Sequence, residues 1–265
     1  MDLQALATTC NHKLRFAQRL RDTHPTVLLY HSVGVDGGYD NVSVADFRTQ
    51  IAWIADRYNT VELSELLAVP NEDPKNVAIT FDDGLASFYR NARPILKEYS
   101  VPATVFVCSA AVDGSMADRL ETIVDERIQT PEQLMSTEQL SEIATNPLFT
   151  IGAHTKTHPK LPELDNESTL VDEVVGSKAV LESALDTPVD QFAYPCNEWD
   201  TRSQDIVRET YEHAVFGGGL TSLITAETCT HRIPRISAGG SVEQLQLHVT
   251  NTGKQLARVY KHMTQ

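Results

Sequence analysis

Asn76-Val77-Ala78-Ile79-Thr80-Phe81-Asp82-Asp83-Gly84 is the stretch on which the reading of this chain turns. Val77 to Phe81 are apolar or β-branched without clear alternation, the pattern of a strand covered on both faces. Two carboxylates follow at once, and then a glycine that lets the chain turn. Neighbouring residues on a regular strand point to opposite faces, so Asp82 and Asp83 can serve one site only where the strand ends and the backbone bends. The C-terminal end of a buried parallel strand is where α/β folds keep their chemistry. The competing reading is a strand followed by an ordinary polar turn.

Outward from that strand the pattern alternates. Thr26 to His31 is an apolar run ending in a histidine, and Ser43-Val-Ala-Asp46 starts a helix carrying Phe47, Ile51, Ile54 and Tyr58. Thr60 to Leu63 reads as a short strand, Leu63 to Val69 as a short helix and Pro70 to Pro74 as a loop. Phe88 to Tyr99 reads as a helix that restarts at Pro94. Further strands are expected at Ala103–Cys108, Phe149–Ala153, Gln191–Tyr194, Ala214–Phe216 and Arg232–Ile236. Helices are expected at Ser136–Ala144, Glu167–Leu185 and from Ser241 to about Tyr260. Residues 109–135 read as an excursion over the mouth of a site. About eight strands alternating with helices predict βα units around a parallel sheet or barrel. There is no internal repeat and no linker-like composition, so residues 1–265 are expected to form one domain, with 1–24 as a helical lead-in.

The totals narrow the function. With 41% hydrophobic and 22% charged residues the chain fits a soluble globular class, and a net charge of −14 argues against nucleic acid and anionic membrane surfaces. The first 25 residues hold no apolar run long enough for an export signal or a membrane span. Cys10, Cys108, Cys196 and Cys229 lie far apart, with no zinc-ribbon or redox pairing. The expectation is free thiols and a cytoplasmic location, although an exported chain trimmed of its signal would look the same.

A second signal is Ile151-Gly-Ala-His154-Thr-Lys-Thr-His158-Pro159. Histidines four apart share one face of a helical turn, but on an extended strand they would be ~13 Å apart, at about 3.3 Å per residue. Pro159 disfavours helix at His158, so a single turn in a loop is expected. No Glu follows the first His, so the helical zinc-protease pattern fails. Together with the Asp-Asp strand end, the two imidazoles and one carboxylate suit zinc or another divalent ion.

With both signals in hand, Thr80-Phe-Asp-Asp-Gly84 and His154-Thr-Lys-Thr-His158 resemble the first two motifs of the polysaccharide deacetylases, the NodB-homology group or carbohydrate esterase family four. Pro94-Ile-Leu-Lys97 and Pro102-Ala-Thr-Val-Phe-Val107 look like that family's helix and next strand. Phe192-Ala-Tyr-Pro195 looks like its third motif, and Leu29-Tyr-His31-Ser-Val33 like the opening of the subgroup with a Tyr-His pair. The resemblance runs from about residue 26 to 237. It implies a distorted (β/α) barrel, with Asp83, His154 and His158 as metal ligands and Asp82 as the general base. It makes His31 the general acid and gives an oxyanion role to the backbone N–H of Cys196, after Tyr194 and Pro195. The implied cofactor is a divalent metal ion, zinc first, with cobalt, nickel or ferrous iron as alternatives.

The chain also departs from the family pattern. Pro195-Cys196-Asn197 stands where Pro-Tyr-Gly is usual, and the arginine that orients the base in the third motif is missing, with Gln191 and Ala193 nearby. Arg235 could replace it or be a surface arginine. Trp199 could stack on a sugar ring or simply pack. His231 is a rival general acid to His31, because it precedes a strand expected to end near the site. Gly217-Gly-Gly219 lacks a phosphate-loop ending and reads as a flexible turn. Cys196 has no base beside it in sequence, so thiol nucleophilia is a minor option.

The resulting expectation is a metal-dependent deacetylase that hydrolyses the N-acetyl or similar N-acyl amide of an amino sugar or saccharide precursor. No nucleic-acid partner and no membrane insertion are expected, and the oligomeric state is open. The alternatives are an O-acetyl carbohydrate esterase on the same scaffold and a catalytically inactive glycan-binding homologue.

Overall fold

A computed structural model describes residues 24–35, 40–68, 73–112, 133–219 and 223–250. The lead-in over 1–23, most of the 109–135 excursion, and the closing helix beyond residue 250 lie outside the described residues.

Among the described residues eight strands form: β1 (Thr26–Tyr30), β2 (Asn59–Thr60), β3 (Asn76–Phe81), β4 (Ala103–Val107), β5 (Phe149–Ala153), β6 (Gln191–Ala193), β7 (His213–Gly217) and β8 (Ile233–Ser237). All pairings between them are parallel, and seven strands close a ring in the order β1-β8-β7-β6-β5-β4-β3 and back to β1. β2 stands outside the ring, pairing with the start of β3 on the edge that β4 takes further along. The ring is uneven. β4 and β5 pair over five residues, whereas β5 and β6 meet only at Ala153 and Phe192. A distorted (β/α) barrel is therefore the architecture. The expected strand at Thr60–Leu63 is corrected to Asn59–Thr60, because Leu63 already opens the next helix.

Helices α1 (Val44–Arg57), α2 (Leu63–Ala68), α3 (Arg93–Tyr99), α4 (Thr137–Ala144), α5 (Glu167–Val171), α6 (Ser177–Leu185), α7 (Thr201–Thr210) and α8 (Val242–Val249) complete the described elements. Helix α1 starts where the Ser43 hydroxyl accepts the Asp46 N–H, and it buries Phe47, Ile51 and Ile54 at helical spacing. Reciprocal capping boxes at Ser136 and Ser241 start α4 and α8. The helix expected over Phe88–Tyr99 is a π turn at Phe88–Ala92 followed by α3, and a second π turn at Asp172–Gly176 joins α5 to α6.

Strand parity sorts the core. Leu28, Tyr30, Val77, Ile79, Phe81, Val105 and Ile151 face outward into one cluster with the helices, while Val27, Ala78, Phe106, Ala193, Val215 and Ile233 fill a second cluster within the ring. Tyr30 stacks on Phe81 at 5.2 Å and meets Phe47 edge-on at 5.2 Å, and its hydroxyl donates to buried Gln50. Gln50 in turn donates to the Ala238 and Gly240 carbonyls, so helix α1 is tied to the exit of β8. Each such aromatic burial contributes about 1.5–3 kcal/mol. Inside the ring, Gly152 makes room for a ring: a Cβ there would sit 2.4 Å from Phe106. The inward parity of β1, β3 and β5 continues past the strand ends to His31, Asp82 and His154, that of β8 runs through Arg235 to Ser237, and the chemistry-bearing residues converge there.

Candidate active site and metal centre

A cleft of about 420 Å³ opens at the C-terminal ends of the strands, lined by His31, Asp82, Asp83, His154, His158 and Arg235 among others. Asp82 continues the inward parity of Ala78 and Thr80. Asp83 would point away, but its φ of 70° and that of Gly84 at 68° turn the chain so that both carboxylates enter the cleft.

The Asp83 Oδ1 atom lies 3.5 Å from His154 Nε2 and 3.7 Å from His158 Nε2, and the three donor atoms all lie within 4.8 Å of one another. Two ligands about 2.1 Å from one tetrahedral ion stand about 3.4 Å apart, so these separations fit a shared cation better than direct hydrogen bonds. The donor chemistry also fits. His154 Nδ1 donates to the Ala193 carbonyl at 2.7 Å, which fixes the tautomer and leaves the Nε2 lone pair facing the cleft. Burial, followed by the charge of His154, lowers the pKa of His158 to about 4, so its imidazole is neutral at ordinary pH. Burial alone would raise Asp83, but its contact with His154 and the charge of His31 hold its carboxyl well below the usual range.

The turn between the two histidines is strained. Thr155 and His158 sit at φ 62° and 59°, and a β-branched residue there costs about 1–3 kcal/mol. Local bonds offset the strain. Thr155 Oγ1 donates to the His154 carbonyl and accepts the His158 N–H at 3.0 Å. Buried Glu173, from the second π turn, accepts the N–H groups of Lys156 and Thr157. The single turn expected ahead of Pro159 is this one.

Asp82 is held by Arg235. Nη1 donates to Oδ1 and Nη2 to Oδ2, each at 2.6 Å, and the arginine is 0% exposed. The surface reading of Arg235 is corrected: inward parity on β8 places it inside the barrel, where its guanidinium also lies 5.5 Å from the Phe106 ring. Burial would raise Asp82, yet the charges of Arg235 and His154 and the Arg235 hydrogen bonds hold it below its ordinary value. A carboxylate has two acceptor positions per oxygen, so the fork leaves others free toward the cleft.

His31 lies across the cleft with Nδ1 3.4 Å from Asp40 Oδ2, and Asp40 also accepts from the Ser237 hydroxyl. Burial opposes the charged imidazolium. The hydrogen bond to Asp40 and the charges of Asp83, Asp82 and Asp40 outweigh it, and the His31 pKa is raised. Asp40 and Glu173 are the site residues the sequence reading missed. Glu173 carried a signal, being an acid three residues after Leu170 on the apolar stripe; Asp40 carried none.

His231 lies away from the cleft. It precedes β8 and so sits at the N-terminal end of the ring, with Nε2 bonded to the Tyr211 carbonyl. Trp199 packs between Tyr194 and Phe216 and borders a separate hollow with Cys229 and Arg232, outside the lining of the main cleft. Tyr194, Cys196 and Asn197 do line the cleft, and Cys196 and Asn197 both have positive φ, a conformation asparagine tolerates better than most residues. Asn197 Oδ1 accepts the Gly217 N–H, so Gly217 is anchored; the expectation of a flexible turn is corrected there. Lys160 lines the rim, paired with Glu163 and Glu198. Cys108 is buried, Cys229 half-buried and Cys196 exposed.

The YxkH protein of Bacillus subtilis (strain 168), whose own assignment as a polysaccharide deacetylase is by inference, is 25% identical over 222 residues, 81% of this chain and 72% of that one. A poly-beta-1,6-N-acetyl-D-glucosamine N-deacetylase of Staphylococcus aureus (strain MRSA252) is 27% identical over 208 residues, 74% of this chain and 67% of that one. The Escherichia coli (strain K12) protein of the same name is 28% identical over 134 residues, 48% of this chain, and the match spans only 20% of that protein. In fold, the Streptococcus pyogenes deacetylase PplD, solved with acetate, superposes with a TM-score of 0.72 at 22% identity over 86% of this chain and 99% of its own. The polysaccharide deacetylase family matches residues 70–214, more than half of the sequence. The chain belongs to the polysaccharide deacetylase family.

Proposed function

We propose that this protein is a metal-dependent deacetylase that hydrolyses the N-acetyl amide of an amino sugar, with an N-acetylglucosamine unit as the first substrate to test. The observation that carries the reading is the meeting, in one cleft, of the Asp83–His154–His158 donor set with an ionised Asp82 gripped by Arg235. The names of the Staphylococcus aureus and Escherichia coli relatives support the choice of sugar.

Asp83, His154 and His158 would hold the cation, which when bound polarises the acyl carbonyl and makes water easier to deprotonate. Asp82 receives the proton from water on a lone pair that Arg235 leaves free. The Cys196 N–H stabilises the oxygen that becomes negative as the carbonyl carbon turns tetrahedral. His31, protonated and held by Asp40, gives its proton to the departing amine nitrogen, so the carbon–nitrogen bond breaks with acetate and a free amine as products.

The test is acetate release from a β-1,6-linked N-acetylglucosamine oligomer, from monomeric and nucleotide-linked N-acetyl sugars and from O-acetyl sugars, with and without chelator. Chelator-sensitive release from an N-acetyl substrate is expected. No release from any of them, or release unaffected by chelator, sinks the proposal; preference for the O-acetyl substrates would instead identify an esterase.

A further inference from the structure

Between the two histidines of the metal-binding turn there is no regular secondary structure, and yet the turn holds a conformation that its residues disfavour. Thr155 and His158 are both left-handed in φ, and neither is glycine. The Thr155 hydroxyl offsets part of that strain from within the turn, and a second support comes from outside it. The outside element is the π turn at Asp172–Gly176, in the helix packed beside it. From there Glu173, only 5% exposed, sends its carboxylate inward. Oε2 accepts the Lys156 N–H at 2.9 Å and the Thr157 N–H at 2.8 Å, while Oε1 accepts the Thr157 hydroxyl at 2.6 Å. Neighbouring Asp172 adds an outer grip on the Lys156 ammonium, at 3.1 Å. All three of these bonds fall on Lys156 and Thr157, between the two histidines of the five-residue motif.

We propose that Glu173 is a positioning residue for the metal centre: its carboxylate locks the His154–His158 turn so that both Nε2 atoms converge on Asp83. Charge-assisted hydrogen bonds are the strong ones, and here they satisfy two backbone donors that a loop in this place would otherwise leave to water or unpaired. A π turn inserts a residue into a helix, and such insertions gather where a side chain has to be re-aimed. Groups that orient ligands from behind alter metal affinity by about 10–100-fold when lost. Glu173 touches neither substrate nor the ligand nitrogens, so it acts through the turn alone.

The inference rests on the metal-binding reading of Asp83, His154 and His158, and the experiment separates the two. Cobalt(II) is titrated into the chelator-treated protein in competition with a chromophoric chelator, and the visible absorption of the bound ion is recorded. Glu173→Gln keeps the size but replaces one accepting oxygen with a donor; Thr157→Val removes only the hydroxyl bond to Oε1. The expected result is a loss of affinity of about tenfold or more in Glu173→Gln, a smaller loss in Thr157→Val, and a shifted cobalt spectrum, with circular dichroism unchanged. Wild-type affinity and an unaltered spectrum in both variants would overturn the role of Glu173 while leaving the metal site standing. If Glu173→Gln does not fold, Thr157→Val decides by the same criteria. A wild-type protein that takes up no cobalt would remove the metal reading and this inference with it.

Discussion

Arg235 and Asp82 are 153 residues apart in the chain and form a buried two-point pair, with both N–O distances at 2.6 Å. They are not neighbours in the ring either. β1 stands between their strands, with Val27 opposite Arg235 on one side and Tyr30 opposite Phe81 on the other. The arginine reaches across the barrel interior beneath the cleft, and Thr80 accepts a further bond from it at 3.2 Å. The third-motif arginine that the family resemblance leads one to expect is absent from this sequence, and Arg235 grips Asp82 from β8.

Replacing Arg235 should therefore harm both stability and rate. Arg235→Met leaves the Asp82 carboxylate buried without its partner, a loss of about 3–5 kcal/mol. The sign with pH follows from the lowered Asp82 pKa: the pair's contribution is present above the unfolded carboxylate value and fades as pH falls through the folded one. Thermal denaturation of wild type and Arg235→Met at neutral and acidic pH should show a large gap that narrows in acid. Arg235→Lys keeps a charge but not the fork, and kcat should fall by about 10²-fold or more. Wild-type melting of Arg235→Met at neutral pH would contradict the pairing.

Asp40 is expected to set the alkaline limb of the proposed reaction. A general acid works while protonated, so activity should decline as pH rises through the His31 pKa, which is raised above the usual value of about 6.5. Asp40→Asn removes the hydrogen bond and a nearby charge while burial stays, so the limb should move to lower pH. Profiles of kcat/KM against pH for the two proteins would show this, and an unmoved limb counts against His31 as the acid.

His31 should also separate amide from ester cleavage if it is the general acid of the proposed reaction. An amine leaves poorly unless it is protonated, whereas an alkoxide leaves more readily. His31→Ala should lower N-acetyl hydrolysis about 10²-fold or more, with a smaller effect on an activated acetate ester. Equal losses on both substrates would remove the assignment.

Cys196 is exposed on the cleft wall, and the role proposed for it belongs to its backbone N–H. Cys196→Ala should keep kcat within about threefold of wild type, since removing a side chain leaves an N–H donor in place. A loss beyond about a hundredfold would indicate a thiol nucleophile instead.

By itself the sequence determined the strands and the donor set. Unbroken apolar runs at Val77–Phe81 and Ala103–Val107 read as buried parallel strands because both faces of such strands are covered. Asp82, Asp83, His154 and His158 were legible because each pair lies within a few residues, and the turns that aim them are written locally, in Gly84 and Pro159. The tertiary structure decided what stands behind them. Arg235, Asp40 and Glu173 meet their partners only after the ring has closed and a helix has taken an extra residue. The role of Arg235 depends on which strand face lies inside, and those of Asp40 and Glu173 on which loop and helix pack against the end of the ring; linear spacing carries none of that information. His231 shows the same limit from the other side: in a parallel ring the residue before a strand lies at the end opposite the site, and the residue after it lies within the site.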